Sequence, residues 1–195
     1  MTDDYFVEDE EIIQNKLGIK DPKILHRFEE EITFIRIAEI EDKPVVGSFD
    51  FDHLKEIHKR IFSDIYDFAG KARTVNLLKN SSVFCYSENI ESEQKSIFTK
   101  LAKNNYLKSL PKDEFIRKFA ELAGDLNALH PFREGNGRAI RVFLSQLGRN
   151  ADYDIRYRDA DIKELLEADI AAFHCDFKPM IELLNKITFP LKSEW

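Results

Sequence analysis

The strongest constraint on this chain is the run from His130 to Arg141, which lies between two segments with the hydrophobic spacing of helices. The segment before it, Glu114 to Leu129, repeats apolar residues at intervals of three and four, the pattern of a helix with one buried face. Pro131 disfavours helical backbone at the preceding residue, so we expect the first helix to end at His130. The apolar spacing resumes near Arg138. The sequence therefore predicts two helices joined by a short polar loop that ends at a helix N-terminus.

The loop and the first turn of the second helix have the composition of an anion site. Unpaired backbone N–H groups and the positive end of the helix dipole point into such a loop. Gly135 and Gly137 allow positive φ and a close backbone approach. Arg138 and Arg141 are three residues apart, so both guanidinium groups can reach one side of the first turn. Because cations are unfavourable near a helix N-terminus, this pair indicates a multiply charged anion.

Two further groups in the run add chemistry. Glu134 would repel a bare phosphate, but its carboxylate suits a Mg²⁺ ion that bridges to one. His130 is a titratable base of the kind that takes a proton from a hydroxyl. Each feature alone has an ordinary explanation, since Gly-Asn-Gly is a common turn and helix-end histidines often cap or pack. Together they predict a nucleotide triphosphate site with a metal and a general base. The Gly-Lys-Ser/Thr ending of a Walker A loop is absent.

The run resembles the signature of the Fic family, His-Pro-Phe-x-(Asp/Glu)-Gly-Asn-Gly-Arg-x-x-Arg, and matches it at every specified position. The segments Leu54 to Phe62 and Tyr66 to Thr74 are similar to the part of the family that leads into a hairpin called the flap. The resemblance extends over roughly Phe49 to Ile187. It implies a mainly α fold, a Fic-type helical bundle with one β-hairpin over the active site. We expect a single domain over residues 1–195, with a core of about 49–187 and an N-terminal helical extension.

The resemblance also implies an activity, the transfer of AMP from ATP to a Ser, Thr or Tyr hydroxyl of a target protein. His130 would be the catalytic base and Glu134 the ligand of Mg²⁺. The backbone of Gly135 to Gly137 and the Asn136 side chain would hold α- and β-phosphate oxygens. Arg138 would meet the β-phosphate and Arg141 the γ-phosphate. Relatives that transfer UMP, phosphocholine or, with a Lys in place of a motif Gly, phosphate leave other donors open.

Short β-prone runs, Arg73 to Leu78 and Ser82 to Tyr86, flank Lys79-Asn80-Ser81 and predict a hairpin. It could be a plain surface hairpin, or an edge that pairs with an extended target peptide. The resemblance to the flap favours the second interpretation. The residues expected to contact the target peptide are Thr74, Val75, Asn76, Leu77, Val83 and Phe84.

Regulation is predicted from a missing motif. Many Fic proteins carry Ser/Thr-x-x-x-Glu-Gly/Asn, whose Glu pairs with the second motif Arg and blocks the γ-phosphate. The nearest candidate, Glu88-Asn89, has Phe84 where Ser or Thr is required. We therefore expect a separate small antitoxin-like inhibitor whose Glu pairs with Arg141, as in the bacterial toxin–antitoxin subgroup. The resemblance to that subgroup implies a type II topoisomerase subunit as a possible target.

The alternative to an enzyme is a non-catalytic module that binds a nucleotide or a peptide.

Composition excludes several other classes. The net charge of −7 over 195 residues argues against a direct nucleic-acid-binding face. No apolar run approaches the length of a membrane span, and the acidic N-terminus does not resemble a signal peptide. The isolated cysteines, Cys85 and Cys175, fit a reducing cytoplasm. His53 and His58 are five residues apart without a carboxylate at ligand spacing, so no metal site is expected there.

The remaining element boundaries follow from caps and breakers. We expect Asp21 and Pro22 to begin a helix that runs to about Glu39, and Ser48 or Asp50 to begin the next. The other predicted boundaries are a helix over 88–107, Asp113 as N-cap of the helix before His130, Gly148 as the end of the motif helix, an irregular link over 152–157, a helix from Asp159 or Asp161 to Phe173, and a last helix over 176–187.

Overall fold

The computed structural model of the chain describes Tyr5 and residues 12–79 and 82–191. Within these residues the chain is mainly helical, which confirms the predicted fold class. Two short antiparallel sheets accompany the helices. The elements are α1 (Pro22–Asp42), α2 (Phe51–Phe62), β1 (Leu78–Lys79), β2 (Ser82–Val83), α3 (Ile90–Lys103), α4 (Lys112–Leu129), α5 (Asn136–Asn150), β3 (Tyr153–Ile155), α6 (Ile162–Phe173), α7 (Lys178–Ile187) and β4 (Thr188–Pro190).

The core forms around α4 and α5, the two helices that flank the motif. Helix α2 packs on α5, while α6 and α7 pack on α4 and on each other. The buried side chains are large and mostly aromatic or branched, and burying each contributes roughly 1.5–3 kcal/mol. The largest fully buried ones include Phe62, Phe115, Phe119, Phe132 and Phe143. The motif loop is therefore held at the centre of the fold and not at its edge.

The helix starts follow the predicted caps in three of four places. The Asp21 carboxylate accepts the N–H groups of Lys23 and Ile24, with Pro22 in the first turn. Asp50 caps α2 and Asp161 caps α6 in the same way. The prediction of Asp113 as a cap is wrong, because α4 already begins at Lys112, after Pro111.

The predicted end of α5 is also wrong. Gly148 lies inside the helix, which continues to Asn150. A Cβ atom at Gly148 would lie 2.0 Å from Ile155 Cδ1, so the glycine provides room for the strand that follows and does not break the helix. That strand replaces the predicted irregular link. β3 pairs with β4, with Ile155 opposite Thr188 and Tyr153 opposite Pro190.

Two other segments differ from their prediction. The helix expected over 88–107 is a 3₁₀ turn, then α3, then a turn in which Asn105, Tyr106 and Leu107 all have positive φ. The predicted hairpin is present, but its strands contain only two residues each, with Leu78 opposite Val83. Lys79, expected in the turn, belongs to β1, and Asn80 and Ser81 lie outside the described residues.

No helix in the described part of the chain has both the length and the apolar content needed to cross a membrane.

His53 and His58 are both buried in α2. The ring of His53 contacts the carbonyl of Val45 and the side chain of Gln146. His58 accepts the N–H of Gly70 at Nδ1 and donates from Nε2 to the carbonyl of Glu134, 2.9 Å away.

His58 thus joins α2 to the motif loop as a neutral ring. It stacks on Phe132, with ring centroids 3.8 Å apart. Burial lowers the pKa of His58 from 6.5 to about 4. Both ring nitrogens are used by the backbone, one as acceptor and one as donor, so protonation would break the bond from Gly70.

We predict that the free energy of unfolding falls by about 2 kcal/mol between pH 7 and pH 5 because of His58. The unfolded chain takes up a proton on this residue near pH 6.5, while the folded chain does so only near pH 4. The contribution is therefore complete above pH 6.5 and is lost as the pH falls towards 4. Urea denaturation at several pH values measures it.

His58→Gln should flatten the pH dependence in this interval. His26→Gln, on the exposed face of α1, is the matched control and should keep the slope of the native chain. Equal slopes for the native chain and His58→Gln would show that this explanation is incorrect.

Candidate active site

The motif loop begins and ends with left-handed backbone. His130 is the C-cap of α4, with φ 44° and ψ 58°. Gly135 is the N-cap of α5, with φ 78°. The chain therefore reverses sharply on each side of Phe132, whose ring is fully buried. These two turns bring the end of α4 against the first turn of α5.

The His130 side chain is oriented by a hydrogen bond at one ring nitrogen and by an aromatic ring stacked on its face. Its Nδ1 lies 3.2 Å from the carbonyl oxygen of Asn127, which can only accept a hydrogen bond. The neutral ring then carries its proton on Nδ1, and Nε2 is the basic nitrogen. The ring of Phe84 stacks on the imidazole, with centroids 3.8 Å apart and an interplanar angle of 17°. The base that the sequence predicted thus has one defined tautomer and orientation.

Asn136 holds the loop closed. Its side-chain oxygen accepts the N–H of Phe132 at 2.8 Å, and its side-chain nitrogen donates to the carbonyl of Phe132 at 2.7 Å. The residue is buried, with 3% of its surface exposed. The side-chain oxygen and one side-chain N–H of Asn136 are therefore used within the loop. The second side-chain N–H and the backbone N–H are the donors it has left, and a role at the phosphate oxygens stays a prediction.

The N-terminus of α5 offers unpaired donors. No acceptor in the described ranges bonds the backbone N–H groups of Asn136, Gly137 or Arg138. The N–H of Gly135 is different, since it donates to Glu134 Oε1 at 2.7 Å. Of the two motif glycines, only Gly135 has positive φ, and Gly137 lies in the first turn of α5. Three N–H groups and the dipole of a fifteen-residue helix favour an anion at this end.

Arg138 is held by a helix that the sequence pattern did not connect to the site. Its guanidinium pairs with Glu29 of α1 and lies 3.1 Å from Thr33 Oγ1. The other oxygen of the Glu29 carboxylate accepts the hydroxyl of Tyr66. Burial and the Glu29 carboxylate raise the pKa of Tyr66, which keeps this donor protonated. The guanidinium also stacks over Phe62, with 4.8 Å between its carbon and the ring centroid.

Arg141 has a looser partner. Its Nη1 lies 4.0 Å from Asp169 Oδ2 of α6, and about a third of each side chain is exposed. Partial burial raises the pKa of Asp169, and Arg141 opposes that effect. Sequence reasoning missed the two carboxylates outside the motif that contact its arginines, Glu29 and Asp169. No local pattern distinguishes them from the many other acidic residues of the helices.

The Glu134 carboxylate lies next to Arg138 and to the backbone N–H of Gly135. Its Oε1 is 3.5 Å from Arg138 Nη2, and its side chain is 43% exposed. No group of three or more potential metal ligands occurs in the described part of the chain. A single accessible carboxylate fits a Mg²⁺ ion that arrives with a nucleotide, since this ion commonly takes one or two protein carboxylates together with phosphates and water.

The predicted flap residues divide into two groups. Val83 pairs in β2 and Phe84 covers His130. Thr74, Val75, Asn76 and Leu77 were expected in a strand but lie in the irregular arm before β1. The backbone N–H groups of Val75, Asn76 and Leu77 have no partner among the described residues. This arm therefore keeps the open donors that pairing with an extended peptide requires.

A helical domain with a histidine at the end of one helix, unpaired N–H groups at the start of the next and a hairpin residue stacked on the histidine has the arrangement of a Fic domain. Residues 48–147 match the Fic/DOC family, and the chain belongs to it.

Among curated proteins, the chain is 39% identical to the protein adenylyltransferase VbhT of Bartonella schoenbuchensis over 175 residues. That alignment covers 90% of this chain and 37% of VbhT, so the chain spans little more than a third of that relative. It is 34% identical to the probable protein adenylyltransferase y4lH of Sinorhizobium fredii, with 90% of this chain and 91% of the relative covered.

Solved structures agree in fold. The N-terminal Fic domain of a putative cell filamentation protein from Bartonella quintana, with bound ADP, has a TM-score of 0.93 and 30% identity. The alignment covers 97% of this chain and 96% of that chain. BepC of Bartonella tribocorum, with bound AMPPNP, has a TM-score of 0.92 and 27% identity, with 98% and 99% covered.

We predict that Gly135→Ala lowers the free energy of unfolding by about 2–5 kcal/mol and weakens ATP binding. Left-handed backbone costs a residue with a Cβ roughly 1–2 kcal/mol, and overpacking adds roughly 1–3 kcal/mol. The overpacking arises because the new Cβ would lie 2.1 Å from Phe62 Cζ. Chemical denaturation and calorimetric titration measure the two effects.

Gly18→Ala is the matched control. Gly18 has φ +64° but nothing within 4 Å of an added Cβ, so only the backbone cost should appear there. Equal losses of stability in the two variants would contradict the role assigned to the contact with Phe62.

Proposed function

We propose that this chain is a protein adenylyltransferase, which transfers the AMP moiety of ATP to a Ser, Thr or Tyr hydroxyl of another protein. The observation that carries the proposal is one motif loop that has the His130 imidazole, with Nε2 as its basic nitrogen, at one end and three unpaired N–H groups of α5 at the other. The protein adenylyltransferases among the relatives, and the ADP and AMPPNP bound in two similar structures, support the same activity.

In the proposed reaction the target hydroxyl donates its proton to Nε2 of His130. The hydroxyl oxygen attacks the α-phosphorus of ATP and forms the new P–O bond. The bond between the α-phosphorus and the bridging oxygen breaks, and pyrophosphate leaves. His130 then carries the proton, while Nδ1 keeps its hydrogen bond to Asn127 through both states.

The phosphates would lie against the first turn of α5. The backbone N–H groups of Asn136, Gly137 and Arg138 would hold α- and β-phosphate oxygens. The Arg138 side chain would bind the β-phosphate, and its pairing with Glu29 and Thr33 fixes its direction. Arg141, with its long 4.0 Å approach to Asp169, can turn to the γ-phosphate. Glu134 would hold Mg²⁺, which when bound would offset charge on the phosphates.

AMP transfer is proposed over phosphate transfer, which also uses ATP, because both motif glycines are present. The Doc relatives that transfer phosphate carry a Lys at a motif glycine. Here a side chain at Gly135 would meet Phe62, and one at Gly137 would lie 3.1 Å from Arg141 Nη1. Gly135 thus has no room for a side chain, whereas the contact at Gly137 is with the end of the flexible Arg141 side chain. The preference for AMP transfer rests on the resemblance to family members that keep both glycines. Transfer of UMP or phosphocholine would be detected by the same transfer assay with UTP or CDP-choline as donor.

The flap would hold the target. An extended segment of the target pairs with the open arm from Thr74 to Leu77, in the β-augmentation mode. Val83 and Phe84 face the same region from the other arm. Backbone pairing is largely independent of side chains, so it would present the hydroxyl to His130 without selecting a long sequence. We propose a type II topoisomerase subunit as the first target to try.

We predict label on a target protein from ATP labelled at the α-phosphate and none from ATP labelled at the γ-phosphate. The assay uses the purified chain with Mg²⁺ in cell lysate, and the purified topoisomerase subunits in parallel. His130→Ala should lower the transfer by ~10²–10⁴-fold, since it removes the general base. His26→Ala, on the exposed surface of α1, is the control and should transfer normally.

Label from the γ-phosphate alone would overturn the proposal and indicate a kinase. If neither the α- nor the γ-labelled ATP transfers label although ATP still binds, the assay would be repeated with UTP and with CDP-choline. Retained ATP binding with no transfer from any donor would indicate a non-catalytic binding module.

Control by a separate antitoxin-like inhibitor is the second part of the proposal. A groove of about 180 Å³ between α1 and α5 adjoins the site and is lined by both motif arginines. Its apolar wall contains Ile37, Ile40 and Val142. The buried side-chain nitrogen of Gln146, which also lines it, has no hydrogen-bond partner among the described residues. An amphipathic helix could bury apolar residues here and place a Glu on Arg141.

Co-expression of the chain with a small helical protein encoded next to it should abolish the transfer. The expected contact is an ion pair to Arg141 that excludes the γ-phosphate, so replacing the inhibitor's Glu by Gly should restore the transfer. Activity and toxicity that do not change on co-expression would exclude this form of control.

Two further points belong to the proposal. The whole chain forms one Fic domain, with α1 as its N-terminal extension. It acts in a reducing cytoplasm, where ATP is available and where Cys85 and Cys175, both free thiols in the structure, would stay reduced.

A further inference from the structure

Arg73 is buried before the flap, with 2% of its surface exposed. Its guanidinium donates to four backbone carbonyls, and no carboxylate among the described residues pairs with it. Two of these carbonyls, Val75 and Cys85, belong to the two arms of the flap. The other two, Leu129 and His130, end α4. Burial lowers the pKa of Arg73, although arginine remains protonated in proteins.

The contacts of Arg73 complete an unusual set at the end of α4. The last carbonyls of a helix have no partner within the helix and must find one elsewhere. Here six consecutive carbonyls are all satisfied, the first two by His130 and the other four by Cys85 and Arg73. The donors are His130 N for Leu126, His130 Nδ1 for Asn127, Cys85 N for Ala128, Arg73 Nη2 for Leu129, Arg73 Nε for His130 and Arg73 N for Pro131.

This arrangement links two parts of the site that perform different tasks. The left-handed backbone of His130 is uncommon for a residue with a side chain, and its peptide carbonyl is fixed by Arg73 Nε at 2.8 Å. The same guanidinium fixes Val75 O at 2.7 Å, at the start of the arm that would pair with the target. Moving the flap would therefore move the base.

We propose that Arg73 is a positioning residue for transfer, which sets the tautomer and direction of His130 and joins it to the target-binding flap. The inference rests on the proposed function. Arg73 touches neither the nucleotide site nor the motif arginines in any described contact, so its effect should be on the target and on the chemical step. ATP affinity should not depend on it.

The test compares Arg73→Lys with the native chain. Lysine keeps the charge, but a single ammonium cannot reproduce a planar fork that reaches four carbonyls. We expect kcat/KM for the target to fall by about 10- to 100-fold, the scale of a small misplacement of catalytic groups. The Kd for ATP should stay the same. Arg156→Lys is the matched control, since Arg156 pairs with Asp154 in the second sheet, away from the site.

Two measurements do not depend on activity. Nitrogen chemical shifts of labelled histidine, assigned with His130→Ala, should show a single Nδ1–H tautomer in the native chain and a mixture in Arg73→Lys. Hydrogen exchange of the Cys85 amide, which bonds Ala128 O, should accelerate in the variant. Exchange of the Ala139 amide, bonded to Gly135 O inside α5, should not change.

Native kcat/KM and a single tautomer in Arg73→Lys would overturn the inference. Parallel loss of ATP binding, of Ala139 protection and of transfer would also overturn it, because that result describes a residue needed only for folding. If the native chain transfers no label from ATP, the proposed function fails. The tautomer and exchange measurements would still decide whether Arg73 positions His130.

Discussion

The site depends on one pair of hydrogen bonds, between the side chain of Asn136 and the backbone of Phe132. A loop that is buried must satisfy its own peptide groups, and here a single amide satisfies both the N–H and the carbonyl of the residue at the loop's centre. With Phe132 fixed, its ring fills the core against His58, and left-handed turns at His130 and Gly135 follow on either side. The positions of His130 and of the unpaired N–H groups at the start of α5 therefore both depend on one closed loop.

The electrostatics of the site divide between the two motif arginines. Arg138 is pinned by Glu29, Thr33 and the ring of Phe62, and most of its side chain is buried. Arg141 is more exposed and has one distant carboxylate. A rigid guanidinium suits an interaction that stays constant during a reaction. A looser one suits a group that binds, departs or is blocked, which fits the proposed assignment of Arg141 to the γ-phosphate and to an inhibitor.

Much of this could be predicted from sequence because the information is local. The motif, its two flanking helices, the caps at Asp21, Asp50 and Asp161 and the hairpin depend on neighbours within a few residues. The errors arise where distant segments decide. Gly148 has the local pattern of a helix end, but in the fold it is a helical residue that leaves room for Ile155. The pairing of β3 with β4 and the contact of Glu29 with Arg138, 109 residues away, leave no trace in local periodicity. The bonds of the Asn136 side chain to Phe132 were likewise not foreseen from the motif, and its role at the phosphates stays a prediction.

The contacts of Glu29, Thr33 and Asp169 have a practical consequence. The family match covers residues 48–147, whereas α1 and α6 lie on either side of it. A shortened gene product that keeps the whole matched region would contain every signature residue and still lack Glu29, the closer carboxylate of Arg138, and Asp169, the partner of Arg141. The smallest portion able to work is therefore larger than the portion by which such a chain is recognised, and grafting or minimisation should begin from the helices that frame the motif.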